Sequence, residues 1–324
     1  MPASWLARKI NKRPSVGILV PAFNEAENLP LFTELAATLV SAHREVDYEV
    51  VIVDDGSTDD TASVLSDLQG KYPFLKSARH RTRRGIAEAL RTGYESTTCD
   101  ILVFYPADLQ YRPEDIPALV APILDGSADL VAGYKQGKYE KAFVSNVYNR
   151  LSRRLFAVPV RDLNSVKAYR REIMDSIPAR PDWHRYMVAI AAAQGFTLAE
   201  VPVPLYPRHA GKSKFGIRRI PVGVLDMLAV WFELRFAKKP LLLFGMIGAV
   251  LLILGLVLGM VAVVWRVIGG EGWRPIIELV MTCVIVGSIL FSTGLLGEQI
   301  AGLRAEVGEL RRQIGESRNG DGST

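Results

Sequence analysis

The stretch SVGILVPAFNEAENL, residues 15–29, decides the fold. Residues 15–20 place small and β-branched apolar side chains on both faces of an extended chain, as in a strand buried within a parallel sheet. Pro21 fixes a turn at the strand end, and the acids beyond it enter a helix over 27–41 whose first N–H groups face the ligand side. The alternation then repeats. Short strand-like runs at 50–54, 75–79, 101–105 and 129–133 are separated by amphipathic stretches at 58–70, 86–96 and 113–124. Such a series predicts an α/β sheet covered by helices, with ligands bound beyond the carboxyl ends of the strands.

The second strand ends in Val53-Asp54-Asp55-Gly56-Ser57-Thr58-Asp59. Carboxylates at this position can accept hydrogen bonds from a nucleobase or ribose, Gly56 permits a sharp turn, and Ser57 or Thr58 can cap the next helix. Acids at strand ends also serve as plain helix caps, so both readings stand open. Arg79, Arg81 and Arg83 are either substrate contacts or a solvated basic face. Beyond Gly133 the pattern loosens into a basic helical segment (140–156), a strand near 166–169, a helix at 183–194 and a strand at 197–203. His184 and Arg185 start that helix, with capping, packing or substrate contact all open. Apolar residues at helical spacing over 217–236 suit either a linker lying on a membrane surface or a helix packed on the preceding domain.

The carboxyl-terminal third is different. Residues 241–264 contain no charged side chain and as a helix extend roughly 36 Å, enough to cross a hydrocarbon core with some tilt. A second apolar run follows at 279–297. Arg218, Arg219, Arg235, Lys238 and Lys239 precede the first run and Arg304, Arg311 and Arg312 follow the second. The intervening loop offsets Arg266 and Arg274 with Glu271 and Glu278, so the positive-inside bias predicts both termini in the cytosol. The first residues lack a cleavable apolar leader, which predicts that the domain before 240 stays cytosolic at the cell membrane. Two cysteines, Cys99 and Cys283, stand apart and form no metal or redox spacing. The net charge of +5, without an aromatic-basic platform, fits anionic lipid and phosphate and argues against nucleic acid. Ile300, Leu303, Val307, Leu310 and Ile314 form a narrow apolar seam suited to helix pairing and hence to homo-oligomerisation. The polar, Gly-rich end at 316–324 predicts disorder.

Taken together, the 20–29 and 53–59 segments and Asp108-Leu109-Gln110 after the fourth strand resemble the family-2 glycosyltransferases of the GT-A fold. The likeness is to the polyprenyl-phosphate branch that includes dolichyl-phosphate mannose synthases and bactoprenol glucosyltransferases. It continues through Arg208-His209-Ala210-Gly211-Lys212-Ser213-Lys214-Phe215, similar to that branch's Arg-X-X-Gly-X-Ser-Lys-aromatic segment, and ends in Gly297-Glu298-Gln299-Ile300. The resemblance implies a Rossmann-like mixed-sheet GT-A domain over 1–216. A juxtamembrane helix (217–240), two transmembrane helices (about 241–265 and 276–297) and a helical cytosolic tail (298–324) would follow. It implies inverting transfer of a monosaccharide from a UDP- or GDP-sugar to a polyprenyl phosphate. Pro21, Phe23, Asn24, Glu25, Asp54, Asp55, Gly85 and Asp108 would surround the donor, with Arg84-Gly85 bringing a helix N-terminus near its diphosphate. Asp108 and Gln110 would hold Mg²⁺ or Mn²⁺, and Arg208, Ser213 and Lys214 would meet the acceptor phosphate, with Asp108 and Arg208 the catalytic pair. Asp162, Asn164 and Ser165 resemble the region that shapes the sugar site. There is one departure: relatives usually carry Asp-Ala-Asp-X-Gln after the fourth strand, whereas Pro106 stands here in place of the first acid. The alternatives it leaves are a glycosyltransferase with another membrane glycan or lipid acceptor, or a non-catalytic GT-A scaffold. A Gln-X-X-Arg-Trp sequence, expected of a processive synthase, is lacking, and no Gly-X-Gly-X-X-Gly follows the first strand.

Overall fold

The computed structural model describes residues 13–136, 154–177 except 157, 159 and 164, 183–210, 220–236, 239–269 and 274–320. The chain divides into two compact units, Met1–Val224 and Leu225–Thr324.

In the first unit, β1 (Ser15–Ala22), α1 (Leu29–Ala42), β2 (Asp47–Asp54), α2 (Thr61–Lys71), β3 (Leu75–Arg79), α3 (Ile86–Glu95) and β4 (Ile101–Phe104) follow in order. A 3-10 turn (Pro113–Asp115), α4 (Ile116–Leu124), β5 (Leu130–Gln136), β6 (Lys167–Arg170), α5 (Arg171–Ser176), α6 (Trp183–Ala193) and β7 (Leu198–Pro204) complete it. The expected segment 140–156 lies largely outside the described residues.

The strands form one mixed sheet in the order β3-β2-β1-β4-β6-β5-β7. Among the described strands only β6 runs antiparallel, paired on one side with β4 and on the other with β5. Val16, Ile18 and Val20 of β1 and Val50 and Ile52 of β2 are wholly buried against Phe32, Ala36 and Leu65 of the covering helices. A central strand covered on both faces has no use for a polar side chain, which is why β1 is continuously apolar from Val16 onward. Because β1 lies between β2 and β4, the chain connections leave it in opposite directions. The crevice at their carboxyl ends is the place where such sheets bind ligands.

The second unit contains most of α7 (Ile220–Phe236), a π turn (Leu241–Gly245), α8 (Met246–Gly269) and α9 (Arg274–Gly320). The stretches Leu241–Gly269 and Arg274–Val307 are long and apolar enough to cross a membrane, and 11% and 17% of their most apolar windows are buried. A core helix of a soluble protein would be mostly buried; these present Leu256, Met260, Val263 and Ile289 outward. The helices approach each other through glycine. A Cβ on Gly248 would stand 2.5 Å from the Phe291 nitrogen, and one on Gly287 would stand 2.9 Å from the Gly248 carbonyl oxygen. Small residues allow this backbone contact, as in membrane helix pairs. Glu298 closes the hairpin by accepting the Leu241 N–H at 3.3 Å. The helix Arg274–Gly320 enters the segment 316–324 for which the sequence predicts disorder, and 321–324 lie outside the described residues.

Candidate active site

Three strand ends build the site. The β1 and β2 tips run in register, Ala22 beside Asp54, and Asp55 N–H donates to the Ala22 carbonyl at 2.8 Å. Beyond β1 the chain turns at Asn24, whose φ of 53° is left-handed, a conformation that asparagine tolerates. The Asn24 N–H donates to Ser57 Oγ at 2.9 Å, its side-chain oxygen accepts the Thr58 N–H at 2.9 Å, and Glu25 N–H donates to Thr61 Oγ1 at 3.0 Å. The two tips are thus stitched together. Glu25 in turn accepts from the buried Asn28 amide at 2.6 Å, and Phe23 lies under the Arg83 guanidinium, 4.2 Å from its ring centre. Pro21, partly exposed at the end of β1, pairs in register with Val53.

Asp54 and Asp55 are 1% and 4% exposed. Asp54 Oδ1 accepts the Ser57 N–H at 2.8 Å. Arg79 Nε stands 3.1 Å from Asp54 Oδ2, near enough for charge attraction but off the hydrogen-bonding direction. Asp55 uses both oxygens internally: Oδ1 takes the Arg84 N–H at 2.7 Å and meets His80 Nδ1 at 2.8 Å, while Oδ2 takes the Gly85 N–H at 2.8 Å. His80 Nε2 lies 2.9 Å from Thr92 Oγ1. Asp55 therefore straps the 80–85 loop, and with it the start of α3, onto the β2 tip. Gly56 completes the strap, because its φ is +73° and a Cβ there would stand 2.7 Å from the Arg83 nitrogen. Gly85, at φ +96°, caps α3. A cleft of about 280 Å³ opens over Arg79, His80 and Arg81.

The third strand end carries Pro106 to Arg112. Leu109 has a φ of 58°, and Asp108 Oδ1 accepts the Gln110 N–H at 3.2 Å. This turn leaves Asp108 Oδ2 facing Arg208 Nη2 at 3.0 Å, and Gln110 Oε1 accepts from the same nitrogen at 2.9 Å. Two oxygens about 100 residues from Arg208 in sequence thus converge on one cationic atom. The loop is anchored behind by Tyr206 N–H donating to the Gln110 carbonyl at 3.0 Å, by Arg112 over the Tyr206 ring at 4.2 Å, and by Tyr105 Oη donating to the Arg112 carbonyl at 2.7 Å.

Tyr111 Oη and Ser165 Oγ, 3.0 Å apart, connect this loop to the region before β6. There Asp162, 5% exposed, pairs with Lys135 Nζ at 3.4 Å. Lys167, paired in register with Phe104, is 1% exposed and donates to the Ser165 carbonyl at 2.9 Å. Burial pushes its ammonium down to about 8, against the opposing pull of Asp162 and with a smaller push from Lys135. His184 is buried edge-on to Phe104 and Trp183, its Nδ1 without a partner, and burial with the nearby Lys167 and Arg185 charges holds it down to about 3. Of the three readings open for His184, the structure shows the packing one.

The structure brings together Pro21, Phe23, Asn24, Glu25, Asp54, Asp55 and Gly85 at one edge of the crevice and Asp108, Gln110 and Arg208 in a second cluster. Ser213, Lys214 and Asn164 lie outside the described residues. Sequence reading missed His80, Tyr111, Lys167 and Tyr206. For His80 a signal existed, a lone histidine directly after a strand, but its partner lies 25 residues earlier. Among the described residues no three His, Cys, Asp or Glu side chains gather to hold a metal. Asp108 and Gln110 suit a hard divalent cation, for which one carboxylate, a carbonyl oxygen and substrate phosphates suffice, and Arg208 Nη2 stands between their oxygens.

A mixed sheet with its crevice at the β1, β2 and β4 tips defines the GT-A class. Glucosyl-3-phosphoglycerate synthase from Mycobacterium tuberculosis shares it. In complex with Mn²⁺, uridine diphosphate and phosphoglyceric acid that enzyme aligns with a TM-score of 0.55 at 22% identity, over 68% of this chain and 78% of its own. Residues 17–174 match the profile of glycosyl transferase family 2. Curated relatives match nearly end to end. An undecaprenyl-phosphate 4-deoxy-4-formamido-L-arabinose transferase of Enterobacter sp. (strain 638) is 28% identical over 310 residues, 92% of each chain. A dodecaprenyl-phosphate galacturonate synthase of Rhizobium johnstonii is 29% identical over 301 residues, 88% of this chain and 87% of its own.

Proposed function

We propose that the protein transfers a monosaccharide from a nucleotide sugar to a polyprenyl phosphate with inversion at the anomeric carbon. The observation that carries this reading is the near end-to-end match to polyprenyl-phosphate sugar transferases, which covers about nine-tenths of this chain. Residues 1–216 form the catalytic domain, 217–240 a helix at the membrane surface, 241–297 the spanning hairpin and 298–324 a cytosolic tail.

The stitched β1 and β2 tips, with Pro21, Phe23, Asn24, Glu25 and Asp54, receive the nucleoside, and Asp55 positions Gly85 and α3 beside the diphosphate. Asp108 and Gln110 hold a divalent cation, Mg²⁺ or Mn²⁺, which when bound neutralises charge on the leaving diphosphate. Arg208, Ser213 and Lys214 orient the acceptor phosphate. With a second pKa near ~6, that phosphate is largely a dianion at neutral pH and needs no general base. Its oxygen forms the new bond to the anomeric carbon, while the bond to the diphosphate breaks and its electron pair leaves with the nucleoside diphosphate.

The test incubates membranes containing the protein with polyprenyl phosphate and radiolabelled UDP- and GDP-sugars and follows label into the organic phase. One donor labels lipid, and Asp108→Ala or EDTA abolishes the signal. A second reading, a non-catalytic scaffold, draws on Pro106 standing where the family resemblance implies an acid. Folded protein that labels no lipid with any donor and neither binds nor hydrolyses a nucleotide sugar would support it instead.

A further inference from the structure

The clasp between Arg208 and the Asp108–Gln110 pair points beyond acceptor binding. A single nitrogen, Arg208 Nη2, contacts both oxygens, at 3.0 and 2.9 Å. Oxygens that bind Mg²⁺ close to about 2.0–2.1 Å, so a guanidinium and a divalent ion cannot share them, and like charges at this range repel besides. Occupancy is exclusive. Arg208 is also well mounted to leave. Its backbone is pinned two residues earlier, where Tyr206 N–H bonds the Gln110 carbonyl and the Tyr206 ring carries Arg112. The side chain can swing while its base stays fixed. Arg208 is 27% exposed and Asp108 16% at the side chain, so the clasp opens to solvent and not into the core.

We propose that Arg208 is a tethered counter-ion: in the donor-free enzyme it holds Asp108 and Gln110 in place, and it yields them when divalent cation and nucleotide sugar bind together. The freed guanidinium, a fork of donors matched to phosphate oxygens, then turns to the acceptor phosphate. Acceptor affinity is thereby built up only after the donor is seated, which disfavours a lipid phosphate lodged in a site without sugar. This inference rests on the donor and cation sites proposed above.

The experiment measures Mn²⁺ binding to the purified full-length protein in detergent, without nucleotide, by calorimetric titration and by electron paramagnetic resonance of free Mn²⁺. In Arg208→Ala the affinity rises by about fivefold or more, the lower end for coupled sites, because a competitor has been removed. Arg208→Gln, which keeps a hydrogen-bonding side chain without the charge, rises likewise and guards against misfolding of the alanine variant. A second arm titrates a short-chain polyprenyl phosphate into the parent protein. Mn²⁺ with UDP tightens its binding about fivefold, and the Arg208 variants lose that gain. Unchanged or weakened Mn²⁺ affinity in both variants overturns the exchange even while membranes still label lipid. Should Mn²⁺ bind neither parent nor variants, with or without UDP or GDP, the cation site itself falls and the exchange with it.

Discussion

Asp55 accepts three hydrogen bonds while almost wholly buried, so its charge is held by geometry that no neutral side chain reproduces. In Asp55→Asn, one amide hydrogen must face an N–H or the His80 ring. Loss of a buried, hydrogen-bonded charge costs about 3 kcal/mol, read as a lower denaturation midpoint, and the loosened 80–85 loop raises the KM for the donor. His184 makes a prediction in pH. Its folded value near 3 lies below the ordinary 6.5, so between those limits the unfolded chain binds a proton that the folded one refuses. The stability it permits is complete above 6.5 and is lost as pH falls toward 3, by up to about 1.4 kcal/mol per pH unit. Denaturant titrations above and below the ordinary histidine value, at roughly pH 7.5 and pH 4.5, will show a shallower loss in His184→Gln than in the parent, and equal slopes would remove His184 from the account.

At the scale of elements, β1, β2 and β4 were legible because each is a short apolar run ending in turn residues, and the structure lengthens β1 and β2 by two and three residues (to Ala22 and back to Asp47) without moving them. The antiparallel insertion of β6 between β4 and β5 was not legible, since nothing local to residues 167–170 encodes which neighbours it will pair with. The same holds within the site. Asp54, Asp55 and Asp108 could be picked out as acids at strand ends, but the use of Asp55 as an internal strap and the meeting of Asp108 with Arg208 depend on contacts 25 to 100 residues apart. A buried lysine on β6 was likewise invisible, because Lys167 looks in sequence like any exposed basic residue. In the hairpin, the contact between α8 and α9 depends on absent side chains. Gly287→Leu forces atoms against the Gly248 carbonyl and the Leu252 side chain, a loss of about 2 kcal/mol by overpacking, to be measured by unfolding in mixed SDS micelles. Gly302→Leu, where an added Cβ would meet nothing within 4 Å, leaves the same measurement unchanged.

For the whole molecule, the distribution of Lys and Arg predicts which side of the membrane each end occupies. With Cys99 and Cys283 replaced by alanine, a single cysteine at Gly269→Cys reacts with membrane-impermeant maleimide in intact cells. One at Gly302→Cys reacts only after permeabilisation, and the opposite pattern reverses the orientation. The exposed apolar side chains Ile300, Leu303, Val307 and Leu310 lie along one helix at steps of three and four, and cross-linking of Leu303→Cys between copies tests whether that seam pairs. The helix that carries them does more than hold a seam. Arg274–Gly320 is continuous, about 70 Å at 1.5 Å per residue, more than twice what a bilayer core requires. A rod of that length works as a lever: tipping the span by about 10° carries a point roughly 35 Å beyond the membrane sideways by roughly 6 Å. Any change in the tilt of the span is thereby converted into displacement at the far end.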